Sequence, residues 1–465
     1  MPIRLKLGTS KIDITPSHPV PLAGFAVRSG LGPYTGVSYP LYARIYMLET
    51  EEQPEPVAGP EETPEPGERI PENAGMPERV GNAAEAGRAG RAAASRAVLI
   101  SADLIWWGSD RVPAFKEAVR RRFGLEPEAV LLHGTHTHSG PQTSALFTSY
   151  LGVPDPAYLD DLEERVLKGI GEALAGLEPV RVESGAGTSS LAVNRRGHRV
   201  RPPERRETDR ELSVIRFVRE DGSPKGILVH YACHPVITDE NKVSPDFVGV
   251  AMGAVEEKYG KDVVCGFLQG TCGDINPGHD MTEYRGGHEL VMQAGLSFAR
   301  DIGEVLDGPM EVRRAVPLRW RSRTVPLALA PLPEKAVLEK GRSLPGVHGE
   351  WHRLHWEREA ERKPELPLEM TLLTITDGFS LLAMNAEVVV EYGLYLKRLS
   401  GGRVLPLPYT NGMFGYVPTE AILAEGGYEA DESTIYFAMP SVFSPSVEGR
   451  LKEEMAGLLD PFSDR

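Results

Sequence analysis

The stretch Ala129-Val-Leu-Leu-His-Gly-Thr-His-Thr-His-Ser-Gly-Pro141 changes from an apolar run to a polar loop within one short segment. The apolar part, Ala129 to Leu132, predicts a buried strand. His133, His136 and His138 follow it directly. Strand ends that open into polar loops are where α/β proteins gather their chemistry, so this stretch predicts both a strand and a site.

The spacing of His136 and His138 leaves three interpretations open. In an extended segment, residues two apart point their side chains to the same side. Such a pair suits a metal with one ligand and a neighbouring base, or two ligands on one ion. Three hydrogen-bonded polar histidines in a turn would give the same pattern.

Strand and helix signals alternate outward from this stretch. Apolar residues recur at intervals of three or four from Leu159 to Leu174, which predicts an amphipathic helix. Asp377-Gly378 lies between two apolar runs and predicts a hairpin. Ser109 is expected to cap a helix that ends at Gly124. Crossovers and hairpins together predict a mixed α/β fold, with mixed β-sheets flanked by α-helices.

Length and composition limit the class of protein. The 465 residues allow two domains or one large one. The hydrophobic share of 41% and charged share of 25% are ordinary for a soluble globular protein. A net charge of −15 argues against a nucleic-acid partner, which would require a basic face. An apolar run long enough for a transmembrane segment is absent from the sequence. The oligomeric state is left undetermined.

Two further features bear on organisation and location. Residues 50–95 are rich in Pro, Glu, Gly, Ala and Arg, which predicts a mobile low-complexity insertion between the strands expected at 41–48 and 97–103. The chain has 3 cysteines and no recognisable secretion signal at its start, from which we expect a cytoplasmic protein without a disulfide framework.

Polar residues follow several of the other expected strands. His234, Asp274 and Glu387 each come shortly after an apolar run, and residues 411–416 follow the run around Pro406. One such residue alone is more often structural than functional. Their recurrence after separate strands is the pattern expected of a single active-site cleft.

Several blocks in order resemble the catalytic domain of the neutral (non-lysosomal) ceramidase family, from about residue 8 to residue 440. The blocks are Ile12-Asp-Ile-Thr-Pro16 with Gly24, His136-Thr-His-Ser-Gly-Pro141, Asn194-Arg195, His234-Pro235, Ser244-Pro-Asp246, Gly273-Asp274 with Pro277, Glu387 with Gly393, and Asn411 through Tyr416 to Tyr428-Glu429. The resemblance implies one large catalytic domain over residues 1–465. We expect no C-terminal immunoglobulin-like domain, because the sequence stops at Arg465.

The resemblance also implies a zinc hydrolase that cleaves an amide between an acyl chain and an amino group, by attack of a metal-bound water. The implied zinc ligands are His136, His234, Glu387 and Tyr416. His138 would move a proton or hold the developing oxyanion, beside Tyr428 and the substrate-side Arg195. Asp274 would orient a ligand or the backbone turn.

One position departs from the family pattern. Asn276 stands where the family has a serine once regarded as the nucleophile, and an amide side chain cannot serve in that way. Either the nucleophile is a metal-bound water, which needs no serine, or the chemistry has changed. The first is favoured because all four implied metal positions are retained. The departure does weaken the inference that ceramide is the substrate, and a smaller N-acyl compound or a lipid-like one fits the sequence equally well.

Two rival functions are left open. Cys272 lies in a Gly-rich turn near Asp274 and could act as the nucleophile of a cysteine amidohydrolase, with His234 or His279 as its base. A small buried cysteine is the commoner explanation. The second rival is a catalytically silent family member that binds a ligand.

Overall fold

The computed structural model describes residues 3–52, 95–198, 207–280 and 282–460. Its strands are β1 (Ile3–Asp13), β2 (Tyr42–Glu52), β3 (Ser95–Ala102), β4 (Val130–Gly134), β5 (Glu178–Pro179), β6 (Arg181–Thr188), β7 (Ala192–Asn194), β8 (Glu211–Val218), β9 (Pro224–Tyr231), β10 (Val264–Gln269), β11 (Ile275–His279), β12 (Thr282–Glu283), β13 (Glu311–Arg313), β14 (Ala315–Ala328), β15 (Glu365–Thr376), β16 (Phe379–Met384), β17 (Glu387–Val388), β18 (Val404–Leu407) and β19 (Tyr416–Val417). Its α-helices are α1 (Val112–Phe123), α2 (Pro156–Ala175), α3 (Asp246–Tyr259), α4 (His288–Asp307), α5 (Lys335–Gly341), α6 (Gly346–Glu357), α7 (Val390–Ser400), α8 (Glu420–Glu425) and α9 (Val447–Leu459).

The expected mixed α/β fold is confirmed. The strands form sheets ordered β4-β3-β2-β1-β5, β10-β9-β8-β6-β13, β14-β15-β16-β18, β12-β11-β7 and β17-β19. Parallel pairs such as β3–β4 and β9–β10 occur in the same sheets as antiparallel pairs such as β1–β2 and β8–β9. Two neighbouring strands are parallel where a helix connects them, whereas a hairpin makes them antiparallel.

The two larger sheets pack face to face between two layers of helices. Alternate residues of β4 separate the layers: Leu131 belongs to the core between the sheets, and Leu132 belongs to the core under α1 and α2. Tyr46 of β2 crosses the interface and donates to the carbonyls of Ile227 and Val264 at 2.8 and 2.9 Å. Helices α3 and α4 cover the far side of the second sheet. Because β4 is buried on both faces, its sequence is a continuous apolar run.

Local sequence signals placed most elements correctly. The helix expected from Leu159 to Leu174 is α2, and the hairpin at Asp377-Gly378 joins β15 to β16, with Gly378 at φ +87°. Helix α1 does end at Gly124, which adopts the left-handed conformation. The cap at Ser109 was wrong. Its hydroxyl donates to the Met413 carbonyl at 2.9 Å and accepts from the Met413 amide at 2.8 Å, so it joins two distant loops.

The strands on either side of the expected insertion, β2 and β3, are present and pair antiparallel. Most of the insertion itself, residues 53–94, lies outside the described residues, so its nature stays a prediction. In the part of the chain that the structure describes, no helix is both long and apolar enough to cross a membrane.

Candidate metal centre

Three histidine rings converge at the ends of two strands from different sheets. His136 and His138 follow β4, and His234 follows β9. One nitrogen from each ring lies within 4.8 Å of the other two. The Nε2 atoms of His136 and His138 are 3.3 Å apart, with the two rings at 88° to each other. Ligands held about 2.0–2.1 Å from a tetrahedral zinc ion lie about 3.3 Å apart, so this spacing fits two ligands of one ion.

Backbone carbonyls fix the tautomers of His136 and His234. The Nδ1 atom of His136 lies 2.9 Å from the Ile105 oxygen, and that of His234 lies 2.9 Å from the Ile275 oxygen. A carbonyl only accepts, so each Nδ1 must carry the proton and donate it. Burial lowers the pKa of His234 to about 4, which keeps that ring neutral at pH 7. In the neutral ring the Nε2 lone pair points toward the centre, as in histidines that bind metals.

Glu387 adds a carboxylate to the same point. Its Oε1 atom lies 2.9 Å from Nε2 of His234 and 3.2 Å from Nε2 of His136, and the side chain is buried. Burial alone would raise the pKa of Glu387, but the neighbouring His136 and His234 hold it well below its usual range. An ionised oxygen and two imidazole lone pairs directed at one point could together hold a cation between them. These donors are among those that zinc prefers, so the residues present fit a metal ion.

Tyr416, Arg195 and Tyr428 lie on one side of Glu387. Tyr416 is the pairing partner of Glu387 in the short parallel pair β17–β19. Arg195 donates from Nη2 to the Tyr416 hydroxyl at 3.1 Å, and its guanidinium lies over the rings of Tyr416 and Tyr428, 5.7 and 5.5 Å from their centroids. Burial raises the pKa of Tyr416 well above its usual value, and the charge of Glu387 raises it further. Arg195 offsets this only in part, so the phenol stays protonated unless a metal ion binds its oxygen.

Glu429 anchors Arg195 from behind. Arg195 donates from Nε to Glu429 Oε1 at 2.7 Å, and the other oxygen of Glu429 accepts from Arg196. Both Glu429 and Arg196 are buried. Although Glu429 adjoins Tyr428 in a recognised block, its pairing with two consecutive arginines was not anticipated from the sequence. No spacing pattern links residues more than two hundred positions apart.

Asp274 joins the two halves of the site through hydrogen bonds. Its Oδ1 accepts from the Val390 amide and its Oδ2 from Asn194 Nδ2, both at 2.9 Å, while its carbonyl accepts from the Arg195 amide at 2.9 Å. Burial, together with the neighbouring Glu391, raises the pKa of Asp274 to about 7. It thus holds the start of α7, just after Glu387, against the segment that carries Arg195.

Asn276 contacts Arg195 and Glu283. Its Nδ2 donates to Glu283 Oε2 at 2.8 Å, and its Oδ1 accepts from Arg195 Nη1 at 3.5 Å. These contacts give the amide a role in supporting Arg195.

His133 and Cys272 are engaged in other ways. His133 accepts the Gln269 amide at Nε2 and donates from Nδ1 to the Thr410 hydroxyl, both at 2.9 Å, so neither ring nitrogen is available to a metal. The Cys272 thiol contacts the Tyr409 hydroxyl at 3.1 Å. Burial raises the pKa of Cys272 well above its usual value, which disfavours the thiolate that a nucleophile needs. His279, one of its two suggested bases, is exposed beside Asp280.

The backbone at the site departs from the extended conformation assumed for the histidine pair. His136 has φ +71°, and the nearby Tyr409 and Asn411 have φ +57° and +64°. Such conformations cost about 1–3 kcal/mol each outside glycine and are concentrated at functional sites. The two imidazoles still face one point, but a sharp turn brings them together. Tyr409, missed at the sequence level, stacks on His136 with ring centroids 4.0 Å apart.

Comparison with known proteins gives a consistent result. Residues 89–285 match the model of the neutral/alkaline non-lysosomal ceramidase N-terminal region. The neutral ceramidase of Pseudomonas aeruginosa has a similar structure, with a TM-score of 0.70 and 19% sequence identity over 98% of this chain and 74% of that one. A second solved structure, a ceramidase complexed with C2, matches with the same TM-score and identity over 98% of this chain and 75% of that one.

The sequence match covers the first half of the site residues, and the structural match covers the rest of the chain as well. The first includes β4, the histidine pair, His234 and Asp274, and the second extends the shared fold to Glu387 and Tyr416. Residues 89–285 are thus similar to the N-terminal region of the neutral/alkaline non-lysosomal ceramidases, and the chain as a whole has a fold similar to that of the neutral ceramidase of Pseudomonas aeruginosa.

Proposed function

We propose that this protein is a zinc-dependent hydrolase that cleaves a linear N-acyl amide bond. The match of residues 89–285 to the ceramidase model and the shared fold support an amide hydrolase. The observation that carries the zinc dependence is the convergence of Glu387 Oε1 with the Nε2 atoms of His136 and His234, whose Nδ1 protons are held by backbone carbonyls.

His136, His234 and Glu387 would hold the ion, and Tyr416 completes the set that we propose. A zinc ion bound there would polarise the scissile carbonyl and bring the pKa of a bound water close to neutrality. Tyr416 belongs with these residues because it pairs with Glu387 and receives a hydrogen bond from Arg195. That bond leaves lone-pair density on the phenol oxygen available to a cation.

His138, Arg195 and Tyr428 would act on the substrate. His138 lies against His136, and burial together with the charges of His136 and His234 keeps its pKa well below its usual value. A neutral imidazole in this place can accept a proton and pass it to the departing amine. Arg195 and Tyr428 present a guanidinium and a phenol that would stabilise negative charge on the carbonyl oxygen.

A cavity close to the aromatic residues that pack beside His136 is a candidate binding place for an acyl chain. It has a volume of about 420 Å³, and the aromatic part of its lining, Phe147, Phe414 and Phe437, is joined by charged residues on its outer wall such as Arg358 and Glu361. The rings of Phe147 and Phe437 pack on Trp106, whose ring lies 6.1 Å from that of His136. The relatives named above are ceramidases, so a lipid-like N-acyl amine is the substrate class that we propose, with smaller N-acyl compounds as candidates alongside ceramide.

Metal quantification combined with a substrate screen tests this function. We expect close to one equivalent of zinc in the purified protein, loss of hydrolysis on chelation and recovery when zinc is added back. The screen would use N-acylated sphingoid bases, simple N-acyl amines and N-acyl amino acids. A protein without bound metal, or one that retains full activity after chelation, contradicts the proposal. A metal-bound protein that cleaves none of these amides would favour a silent ligand-binding role.

We also propose a cytoplasmic location. The cysteines Cys233, Cys265 and Cys272 are all free and buried, as a reducing compartment allows.

A further inference from the structure

Arg28 uses every N–H of its guanidinium on neighbouring chain segments. Nε donates to the Asp239 carbonyl at 3.1 Å, Nη1 donates to the carbonyls of Ala23 and His138, and Nη2 donates to the Glu240 carbonyl at 2.8 Å and the Ser139 hydroxyl at 2.9 Å. Arginine has five such donors in a fixed plane, and all five are engaged here. Lysine, with three donors on one atom, cannot reproduce this pattern.

These contacts tie three loops together at the histidine pair. One loop carries Ala23 and Arg28, the second is the turn at His138 and Ser139, and the third follows His234 at residues 239–240. The Arg28 side chain is buried, and burial lowers its pKa to about 10, partly offset by the charges of Asp239 and Asp246. Burying a cation is costly, and here five hydrogen bonds to neighbouring segments offset that cost.

His138 differs from its two neighbours in how its ring is held. Ile105 and Ile275 orient the rings of His136 and His234 through Nδ1. The Nδ1 of His138 is buried and has no hydrogen-bond partner among the described residues. Apart from the contact of its Nε2 atom with His136 at 3.3 Å, the direction of this ring comes from its backbone and from packing.

The packing comes from the same loop that carries Arg28. A Cβ atom placed on Gly24 would lie 2.7 Å from Cγ of the His138 ring, so only glycine fits there. The Phe25 ring lies 5.1 Å from the His138 ring and also covers the Arg28 guanidinium at 4.8 Å. Gly24 and Phe25 thus confine the ring, while Arg28 holds the carbonyl of the same residue.

We propose that Arg28 is a positioning residue that fixes His138 for proton transfer. It does so by holding the backbone carbonyl of His138 together with carbonyls of the two adjoining loops. The inference rests on the proposed amide hydrolysis, in which His138 handles the proton.

Arg28→Lys tests the inference because it keeps the buried charge and removes two of the five donors. The matched control is Arg165→Lys, since Arg165 also donates to two backbone carbonyls, those of Asp13 and Thr15, in another part of the chain. For each variant we would measure zinc content, the melting temperature, kcat and KM, and determine a crystal structure. We expect Arg28→Lys to bind zinc and to lower kcat per bound metal by about 10²-fold with KM little changed, since a displacement of about 1 Å can have that effect. In its crystal structure the His138 ring should be displaced or occupy several orientations.

The inference is overturned if kcat falls no further in Arg28→Lys than in Arg165→Lys, or if His138 superposes on its wild-type position. If the wild-type protein hydrolyses no N-acyl amide, the proposed function fails by itself. The crystal structures then decide alone whether Arg28 positions His138.

Discussion

The Nε2 atom of His234 and the Oε1 atom of Glu387 lie 2.9 Å apart in a site buried from solvent. Because the Ile275 carbonyl holds the Nδ1 proton, a neutral His234 presents a lone pair to a carboxylate oxygen. Two acceptors at this distance repel each other unless a proton or a metal ion lies between them. Burial disfavours the doubly protonated imidazole, and this supports the metal ion that we propose for the site.

Glu387→Gln should remove the metal. The substitution keeps the size of the side chain but replaces the anionic oxygen, and its amide can donate to the imidazole lone pairs instead. Residues that only orient metal ligands contribute about 10–100-fold to affinity, so loss of a direct ligand should weaken zinc binding by at least about 10²-fold. Zinc titration with a competing chelator measures this change. An affinity within a few-fold of wild type would show that Glu387 is not a ligand.

His138→Ala distinguishes a proton-transfer residue from a ligand. The 3.3 Å contact with His136 allows either role, although the resemblance to the family placed His138 outside the ligand set. For proton transfer we expect full zinc content and a kcat lowered by about 10²-fold or more. Metal analysis of the variant decides between the two roles, because a large loss of zinc would identify His138 as a ligand.

Cys272→Ala should leave most of the activity in place. The thiol is buried against the Tyr409 hydroxyl, and its raised pKa disfavours the thiolate. Removing one buried sulfur atom should lower the free energy of unfolding by about 1 kcal/mol. Steady-state kinetics and denaturant unfolding would measure both effects. Abolished hydrolysis in a folded, zinc-bound variant would restore the cysteine mechanism.

Local sequence patterns predicted the parts of the fold that short segments determine. The apolar run before His133 became β4, and Asp377-Gly378 became a hairpin, because burial on both faces and a two-residue turn each leave a direct mark on the sequence. The ordered blocks of the family resemblance brought His234, Glu387 and Tyr416 into one hypothesis. The structure does bring these residues together, and their roles stay proposals.

Long-range contacts explain what the sequence could not reveal. Arg28 contacts a turn more than one hundred residues away, and Tyr409 stacks on His136 from still farther along the chain. The left-handed conformation of His136 was missed for the same reason, since its amide donates to the Leu104 carbonyl. None of these contacts produces a periodicity or a spacing within a single segment.

Stability should fall as the pH drops below about 6. His133 is buried with both nitrogens bonded, and burial lowers its pKa to about 3. In the unfolded chain the pKa is near 6.5, so between about pH 6 and pH 3 the unfolded state binds a proton that the folded state does not. Each such histidine reduces the free energy of unfolding by about 1.4 kcal/mol per pH unit in this window, and the contribution is fully present above it.

His133→Gln isolates that contribution. Glutamine can accept from the Gln269 amide but does not titrate. The slope of unfolding free energy against pH should become shallower by about 1.4 kcal/mol per unit, whatever the variant's absolute stability. Denaturant unfolding at a series of pH values gives the slope. An unchanged slope would mean that His133 does not resist protonation in the folded protein.

Gly24→Ala and Gly30→Ala separate contact with His138 from backbone strain. Both glycines have left-handed backbones, with φ +99° and +85°. A Cβ atom on Gly24 would lie 2.7 Å from the His138 ring, whereas one on Gly30 meets no atom within 4 Å. Each substitution should reduce stability by about 1–2 kcal/mol, because alanine disfavours this conformation. Only Gly24→Ala should also lower kcat, by about 10²-fold, since the displaced imidazole no longer faces the reacting amide. Parallel measurements of unfolding free energy and kcat test both expectations. Equal losses of kcat in the two variants would attribute the effect to strain in the loop and remove the role assigned to the contact between Gly24 and His138.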